Sequence, residues 1–309
     1  MQANILTDLI SQARNAAPYT VRDRGPHFEP QYLPKRAAAM RSLNLKASFL
    51  PRLFDKNGRM ISAPIGMPAA EKIALDAAVV AASRVAQAGA HVLIRDDQLR
   101  AIPVGTDKGM AVADVPSTFS TIEPAIFSVL PVDSDVAVTA ALPMHRATMD
   151  WSTAQGVAVR FEVPRSTQKD YDQELFSDEL LLALALGLGR AADRLMLAAV
   201  AAATPAPFSL AAAAAQGLKA GELRALIGTS AAGAAFRADG QLTAAGIAAE
   251  LTADMAGTLV GAWDRAAIAI SNDVHLLAER TAKNGTLNVT AWASMIPMLP
   301  DTSKFWSVA

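Results

Sequence analysis

One stretch of the chain, Ser177–Ala203, constrains the fold more than any other. It predicts a single helix of 27 residues whose circumference is apolar except for one narrow polar arc. The arc consists of Glu179, Arg190, Asp193 and Arg194. Full burial of the eight leucines in this stretch would contribute roughly 12–24 kcal/mol gross, compared with a net domain stability of about 5–15 kcal/mol. The helix must therefore lie in a core or between subunits.

The segments on either side of this helix set its predicted limits. Ser177 is a favoured N-cap residue, and the prolines of Thr204-Pro-Ala-Pro207 prevent the helix from continuing. Before the helix, Val157–Val163 alternates large apolar residues with Ala, Arg and Glu and stops at Pro164. This period of two predicts a β-strand with one apolar face.

Hydrophobic periodicity and turn residues predict the other elements. Residues 1–66 are broken by prolines and are predicted to form an extended arm with one short helix. Residues 95–150 are predicted to form strands and a long hairpin-like excursion. The remaining predictions are helices at Ile5–Ala16, Pro68–Ala88, Leu210–Ala220 and Leu242–Ala256, strands at His91–Ile94, Leu223–Gly228 and Ala266–Ile270, and a hairpin of Leu276–Thr281 with Leu287–Ala293 across Asn284-Gly285.

Composition narrows the classes of protein to consider. The chain has no cysteine, which excludes disulfides and thiol chemistry. With 52% hydrophobic and only 18% charged residues, large contacts between subunits are expected. The net charge of −1 argues against a general nucleic-acid binder, yet the first sixty residues carry +6 and the rest −7. This basic segment is either an arm that docks onto a neighbouring copy or lies near nucleic acid, or an ordinary solvated segment.

Two features bear on localisation. The first residues lack the basic and apolar regions of a signal peptide. The apolar run Leu180–Gly189 has ten residues, whereas a membrane-spanning helix needs about 20. We therefore expect a protein that is assembled in a cytoplasm.

Candidate motifs for chemistry are weak. Gly187-Leu-Gly189-Arg-Ala-Ala192 fits a loose dinucleotide pattern but lies inside the predicted helix, where close helix packing is the better interpretation. The loop Gly228–Gly233 lacks the Gly-Lys-Ser/Thr ending of a phosphate loop. The histidines are not spaced for a metal, and His145 with Asp150 could form a base and its orienting acid only if a nucleophile were present. We predict no catalytic, cofactor-binding or metal-binding residues, and no cofactor.

The order of elements from Ala141 onward is that of a known family. A polar turn leads to strand Val157–Val163, then come the long helix, a small α/β region and terminal strands through Gly257–Asp264 and Gly285–Trp292. This order resembles the major capsid protein of tailed bacteriophages, the Hong Kong 97-like fold, over about residues 125–309.

The resemblance implies an α+β fold with an N-terminal arm, an extended loop, a peripheral domain with a long spine helix, and an axial domain. It assigns residues 1–66 to the arm, 67–150 to a helix plus the extended loop, 151–209 and 275–309 to the peripheral domain, and 210–274 to the axial domain. Some family members cross-link a lysine to an asparagine; Lys108 and Asn284 are present, but nothing in the sequence positions them.

The function that the resemblance implies is self-assembly into the icosahedral head shell of a virion, without enzymatic activity. The expected partners are other copies in hexamers and pentamers, scaffold, portal and decoration proteins, and packaged DNA held without specificity. Three alternatives stay open: an α/β enzyme with an unrecognised active site, another virion protein such as a connector or tube subunit, and an encapsulin-type shell.

Overall fold

A computed structural model of the chain describes residues 5–16, 19–22, 31–34, 37–50, 73–95, 99–104, 109–114, 117–127, 129–130, 141–170, 173–280 and 285–308. The helices are α1 (Ile5–Asn15), α2 (Leu75–Ala82), α3 (Arg84–Gln87), α4 (Arg165–Asp170), α5 (Gln173–Ala202) and α6 (Leu210–Ala215). The strands are β1 (Tyr19–Arg22), β2 (Gln31–Pro34), β3 (Ala37–Asn44), β4 (Phe49–Leu50), β5 (Ile73–Ala74), β6 (His91–Arg95), β7 (Leu99–Val104), β8 (Gly109–Asp114), β9 (Ser117–Ile122), β10 (Met144–Met149), β11 (Gln155–Val163), β12 (Arg224–Ile227), β13 (Ala234–Phe236), β14 (Leu242–Ala244), β15 (Ile247–Leu251), β16 (Thr258–Gly261), β17 (Ala267–Ser271), β18 (Asp273–Arg280), β19 (Leu287–Met298) and β20 (Phe305–Val308). The fold is mixed α+β.

The main sheet is built around β19. Strands β17 and β18 lie end to end along one side of β19, and β11 pairs antiparallel along the other side. Met295 of β19 pairs with both Ile270 of β17 and Gln155 of β11, which places these two strands on opposite sides. Beyond β17 and β18, β6 adds parallel to the former and β3 antiparallel to the latter. The predicted strands Val157–Val163, His91–Ile94 and Ala266–Ile270 are confirmed.

Helix α5 covers one face of this sheet and supplies much of the main core. Leu184, Ala185 and Leu188 are buried there together with Ile268 and Ile270 of β17. The residues that alternate with them, such as Ala267 and Ala269, point to the opposite face of the sheet. The hairpin β9–β10 packs on that face through Phe119, Ala147 and Met149. The sheet therefore lies between α5 and the hairpin.

The predicted long helix is confirmed, but its start and one surface residue were wrong. It begins at Gln173, so Ser177 is not its N-cap. Ser177 is fully buried and accepts a hydrogen bond from Thr7 Oγ1 of α1 at 2.9 Å. Asp193, predicted on the polar arc, is also fully buried.

The N-terminal helix is confirmed as α1 and is tightly packed. Leu6, Leu9, Ile10 and Ala13 recur at helical spacing, and each is fully buried in the main core. The same N-terminal region also contributes β3 to the main sheet. Two parts of residues 1–66, α1 and β3, thus lie in the main core and in the main sheet.

A second sheet has the strand order β13-β14-β15-β12-β16-β20. Strands β12 and β15 are parallel, and the C-terminal β20 pairs antiparallel with β16. A small core lies against it and includes Leu223, Ile227, Val260 and Trp306. The predicted strand Leu223–Gly228 is confirmed as β12, and the predicted helix Leu210–Ala220 is confirmed over six residues as α6.

The predicted helix Leu242–Ala256 was wrong, since this segment forms β14 and β15. Ala245 and Gly246 both have positive φ, 48° and 81°, and make the tight turn between the two strands. The alanine content favoured a helix, whereas strand pairing decided the conformation.

Residues 73–87 of the predicted helix Pro68–Ala88 form the short strand β5 and two helices, α2 and α3, while residues 68–72 lie outside the described residues. The two helices are separated by Ser83, whose backbone is extended. Strands β18 and β19 confirm the two arms of the predicted C-terminal hairpin, and Asn284 lies outside the described residues.

Candidate assembly surfaces

The glycine pair of the dinucleotide-like motif has a packing role at one of its two positions. A side chain at Gly189 would place Cβ 2.8 Å from Cβ of Ala82 and 2.9 Å from the carbonyl oxygen of Val79. At Gly187, no atom of the described residues beyond the helix's own backbone lies within 4 Å of the corresponding point. Gly189 therefore lets α2 approach α5 closely, as the packing interpretation predicted.

The glycine-rich loop after β12 has its amides occupied by its own chain. The N–H groups of Gly228, Thr229 and Ser230 donate to the carbonyls of Gly257, Met255 and Ala256 at 2.9, 3.0 and 2.9 Å. These are the donors that a phosphate would need. In this conformation the loop binds its neighbouring turn instead.

The histidines are dispersed. The ring of His91 lies 5.6 Å from that of Phe119, and His275 is exposed on β18. His27 lies outside the described residues. Within the described part of the chain, no group of three or more His, Asp or Glu is placed to hold a metal ion.

The sequence pair His145 and Asp150 is not brought together. The Asp150 carboxylate accepts from the backbone N–H and the hydroxyl of Ser152 at 2.9 and 2.7 Å, and these bonds lower its pKa. His145 Nε2 lies 3.9 Å from the Asp301 carboxylate instead. Lys108 and Asn284 both lie outside the described residues.

A buried carboxylate joins α5 to the break between α2 and α3. Asp193 accepts hydrogen bonds from Ser83 Oγ at 2.6 Å and from the N–H groups of Arg84 and Val85 at 2.8 and 3.1 Å. Burial raises the pKa of Asp193, while these three donors oppose the rise. The helical periodicity does not predict this buried contact, because it places Asp193 beside Arg190 and Arg194 on a polar arc.

The two arginines of the same arc reach a different acid. Arg190 and Arg194 lie 3.2 and 3.4 Å from the Asp254 carboxylate, whose side chain is only 4% exposed. Asp254 follows β15 in the second sheet. The polar side of α5 thus ties the helix to the region of the second sheet, while its apolar sides pack on the main sheet.

A short segment after β9 exposes large apolar side chains to solvent. We call residues 124–127 and 129–130 the apolar extension. Ile126, Phe127 and Val129 are 92%, 94% and 97% exposed, and Leu130 is 46% exposed. Large apolar side chains that are almost fully exposed and close together in sequence are uncommon on monomeric proteins, so this segment is a candidate contact surface.

An apolar groove of about 390 Å³ lies between α5 and the main sheet. Its walls include Phe161 of β11, Leu188 and Leu195 of α5, and Trp292 of β19. Val159 and Trp292 are 41% and 37% exposed at its edge. The groove adds a second apolar surface, on an element distinct from the apolar extension.

Comparison with solved structures finds capsids at low sequence identity. A chain from "Capsid of native GTA particle computed with C5 symmetry" is 12% identical, with a TM-score of 0.44, over 72% of this chain and 88% of its own. A chain of Mycobacterium phage Adephagia is 15% identical, with a TM-score of 0.44, over 74% and 89%. The virus-like particle from Pyrococcus furiosus gives 10% identity and a TM-score of 0.41 over 75% and 94%.

No protein-family model matches the chain, and no curated protein matches it. Within the described ranges, no helix combines the length and the apolarity that crossing a bilayer demands.

Proposed function

We propose that this chain is a major capsid protein that self-assembles, through hexamers and pentamers, into the icosahedral head shell enclosing a phage genome. The observation that carries the proposal is the apolar extension, because Ile126, Phe127 and Val129 are each more than 90% exposed in the single chain. Burying these side chains against other copies would remove apolar surface from contact with water, and this would favour assembly.

The number of separate apolar surfaces favours a shell over a simple dimer. Besides the apolar extension and the groove, the second sheet exposes Phe236 on β13 and Leu251 on β15, at 74% and 58%. A two-fold dimer buries one self-complementary patch on each subunit. A closed shell gives each subunit several different neighbours, which would cover several such patches.

We assign residues 1–66 to an N-terminal arm, 67–150 to a helix plus extended loop, 151–209 and 275–309 to a peripheral domain with α5 as its spine, and 210–274 to an axial domain. Strands β12–β16 fall within the proposed axial range. Pairing of β3 with β18 and of β20 with β16 crosses the proposed boundaries. The domains would therefore share strands where they meet.

In this proposal the subunit has no active site, and its location is the virion after assembly in the host cytoplasm. Its partners are other copies of itself, with scaffold, portal and decoration proteins and non-specifically packaged DNA. An encapsulin-type shell differs from this in its contents. Nucleic acid of genome length inside purified particles supports the phage head, and a protein cargo supports the encapsulin.

Electron microscopy of the purified protein under a range of assembly conditions tests the proposal. We expect closed shells of uniform diameter. The double variant Ile126→Ser, Phe127→Ser should assemble poorly while its unfolding free energy changes by less than about 0.5 kcal/mol, because these side chains are exposed. Only small discrete oligomers of the wild type under every condition would contradict a shell protein; rings or tubes would favour a connector or tube subunit.

A further inference from the structure

Charged side chains converge where the apolar extension leaves the body of the subunit. Glu123 follows β9, and its Oε1 accepts a hydrogen bond from Arg265 Nη1 and lies 3.6 Å from Lys304 Nζ. The backbone N–H of Glu123 also donates to the carbonyl of Pro143 at 2.8 Å. This hydrogen bond joins the segment that follows β9 to the segment that precedes β10, and Glu123 itself carries the charge.

Lys304 is the centre of the cluster on the body side. Its Nζ donates to the backbone carbonyl and to Oε1 of Gln216 at 3.0 and 3.1 Å, and lies 3.8 Å from Asp301 Oδ2. Asp301 in turn faces His145 of β10 at 3.9 Å. The side chain of Lys304 is only 5% exposed, and burial lowers its pKa. A cation this deeply placed depends on its acceptors.

The charges within the cluster balance. Two carboxylates, Glu123 and Asp301, face two cations, Arg265 and Lys304. The side chains of Glu123, Asp301 and Arg265 are between 11% and 14% exposed. Among the described residues, no hydrogen-bond acceptor reaches the buried Nε of Arg265. Removing the charge of Glu123 would leave two largely buried cations, with Asp301 as the carboxylate in contact with Lys304 and Glu222 nearby.

The two sides of the cluster belong to different parts of the chain. Arg265 and Lys304 lie in 3-10 turns, Trp263–Arg265 and Thr302–Lys304, attached to the two sheets. Glu123 lies beyond the last residue of β9, outside the apolar contacts that hold the hairpin on the main sheet. Displacement of Glu123 and the residues after it is therefore the simplest way to rehydrate the two cations.

We infer that Glu123, His145, Arg265, Asp301 and Lys304 form an ionic latch, which fixes the direction in which the apolar extension leaves the body and releases it when Glu123 loses its charge. The latch consists of contacts within one chain, so it holds whether or not the subunit forms a shell. Because the pairs are largely buried, moderate salt should not open it.

Neutralising Glu123 removes the charge that faces Arg265 and Lys304 and should open the latch. The nearby Glu222 favours the charged form of Lys304, and His145 faces Asp301. Because several charged groups surround the cluster, a substitution at Glu123 tests the latch more specifically than a change of pH does.

Spin-label distance measurements test the latch. The chain has no cysteine, so Ala125→Cys on the apolar extension and Ala214→Cys on α6 accept labels specifically, and both positions are exposed. Dilution with unlabelled protein restricts the signal to distances within one chain. We expect one narrow distance distribution for the otherwise unchanged protein and a broadened or shifted one for Glu123→Gln, with less change for Asp301→Asn.

The matched control is Glu162→Gln, which neutralises an exposed carboxylate that lies 4.0 Å from Arg160 on β11. It should leave the distribution unchanged. Distributions of Glu123→Gln and Asp301→Asn that superimpose on the reference would overturn the latch. Hydrogen exchange supplies the second readout: loss of protection throughout α5 in Glu123→Gln would mean that the cluster holds the body rather than the extension, and would overturn the inference too.

Discussion

Replacing Asp193 with alanine should destabilise the subunit more than replacing any acidic residue on its surface. The carboxylate is fully buried and joins α5 to the junction of α2 and α3. In Asp193→Ala, the Ser83 hydroxyl and the N–H groups of Arg84 and Val85 lose their acceptor. These two amides belong to the first two residues of α3. Asp193 therefore caps this helix from a distant part of the chain, and the substitution removes that cap.

Two opposing terms set the magnitude. Three lost hydrogen bonds at about 1 kcal/mol each cost about 3 kcal/mol. Removing a carboxylate whose charged form is disfavoured by burial offsets part of this cost. We expect a net loss of between about 1 and 3 kcal/mol in the free energy of unfolding, measured by urea denaturation of the unassembled chain.

Two comparisons make this test specific. Asp273→Ala removes an exposed acid at the start of β18 and should cost less than about 0.5 kcal/mol. Asp193→Asn keeps one acceptor oxygen and should lie between the two. Equal stability of Asp193→Ala and Asp273→Ala would refute the role of the buried carboxylate.

The pKa of Asp193 predicts how this difference changes with pH. Burial raises the pKa above its value in the unfolded chain, so folding favours the protonated form. The cost of burying the charge is therefore fully present above the raised pKa, and it is relieved as the pH falls towards the unfolded value of about 3.9. Relative to Asp193→Asn, the wild type should gain stability over this range. A constant difference from pH 7 to pH 4 would show that burial does not control this group.

Three further substitutions, two of them with a matched control, test the packing of the helices. Leu184→Asp places an unpaired charge in the main core and should prevent folding and hence assembly, whereas Leu210→Asp, at a side chain that is 65% exposed, should leave the circular dichroism spectrum unchanged. Gly189→Ala should cost about 1–3 kcal/mol because α2 must move away, while Gly187→Ala should be neutral or stabilising in the same denaturation assay. Leu9→Ala should cost about 2–5 kcal/mol; a loss below 0.5 kcal/mol would show that α1 is not part of the core.

The sequence predicted the elements that are long and strongly periodic. Helix α5 and the strand β11 before it follow from the unbroken apolar run and from the alternation at Val157–Val163. The failures have physical causes. The segment Leu242–Ala256 is rich in alanine, a strong helix former, yet its turn at Ala245-Gly246 and the pairing of β15 with β12 make it part of a sheet.

The candidate surfaces were less accessible to sequence reasoning than the fold. Periodicity places Asp193 next to Arg190 on a helical wheel, but it cannot show that α2 and α3 cover one side of that arc. The ionic latch draws on parts of the chain separated by as many as 181 residues, from Glu123 to Lys304. Such a cluster becomes visible only when the second sheet has brought the C-terminal segment beside the hairpin.

The position of α5 explains why these contacts depend on one another. Its apolar sides pack on the main sheet and on α1 and α2. On its polar side, Asp193 binds the Ser83 junction and Arg190 binds Asp254. A movement of α5 would therefore disturb its contacts with the main sheet, with the Ser83 junction and with Asp254 beside the second sheet, together with the groove that it lines.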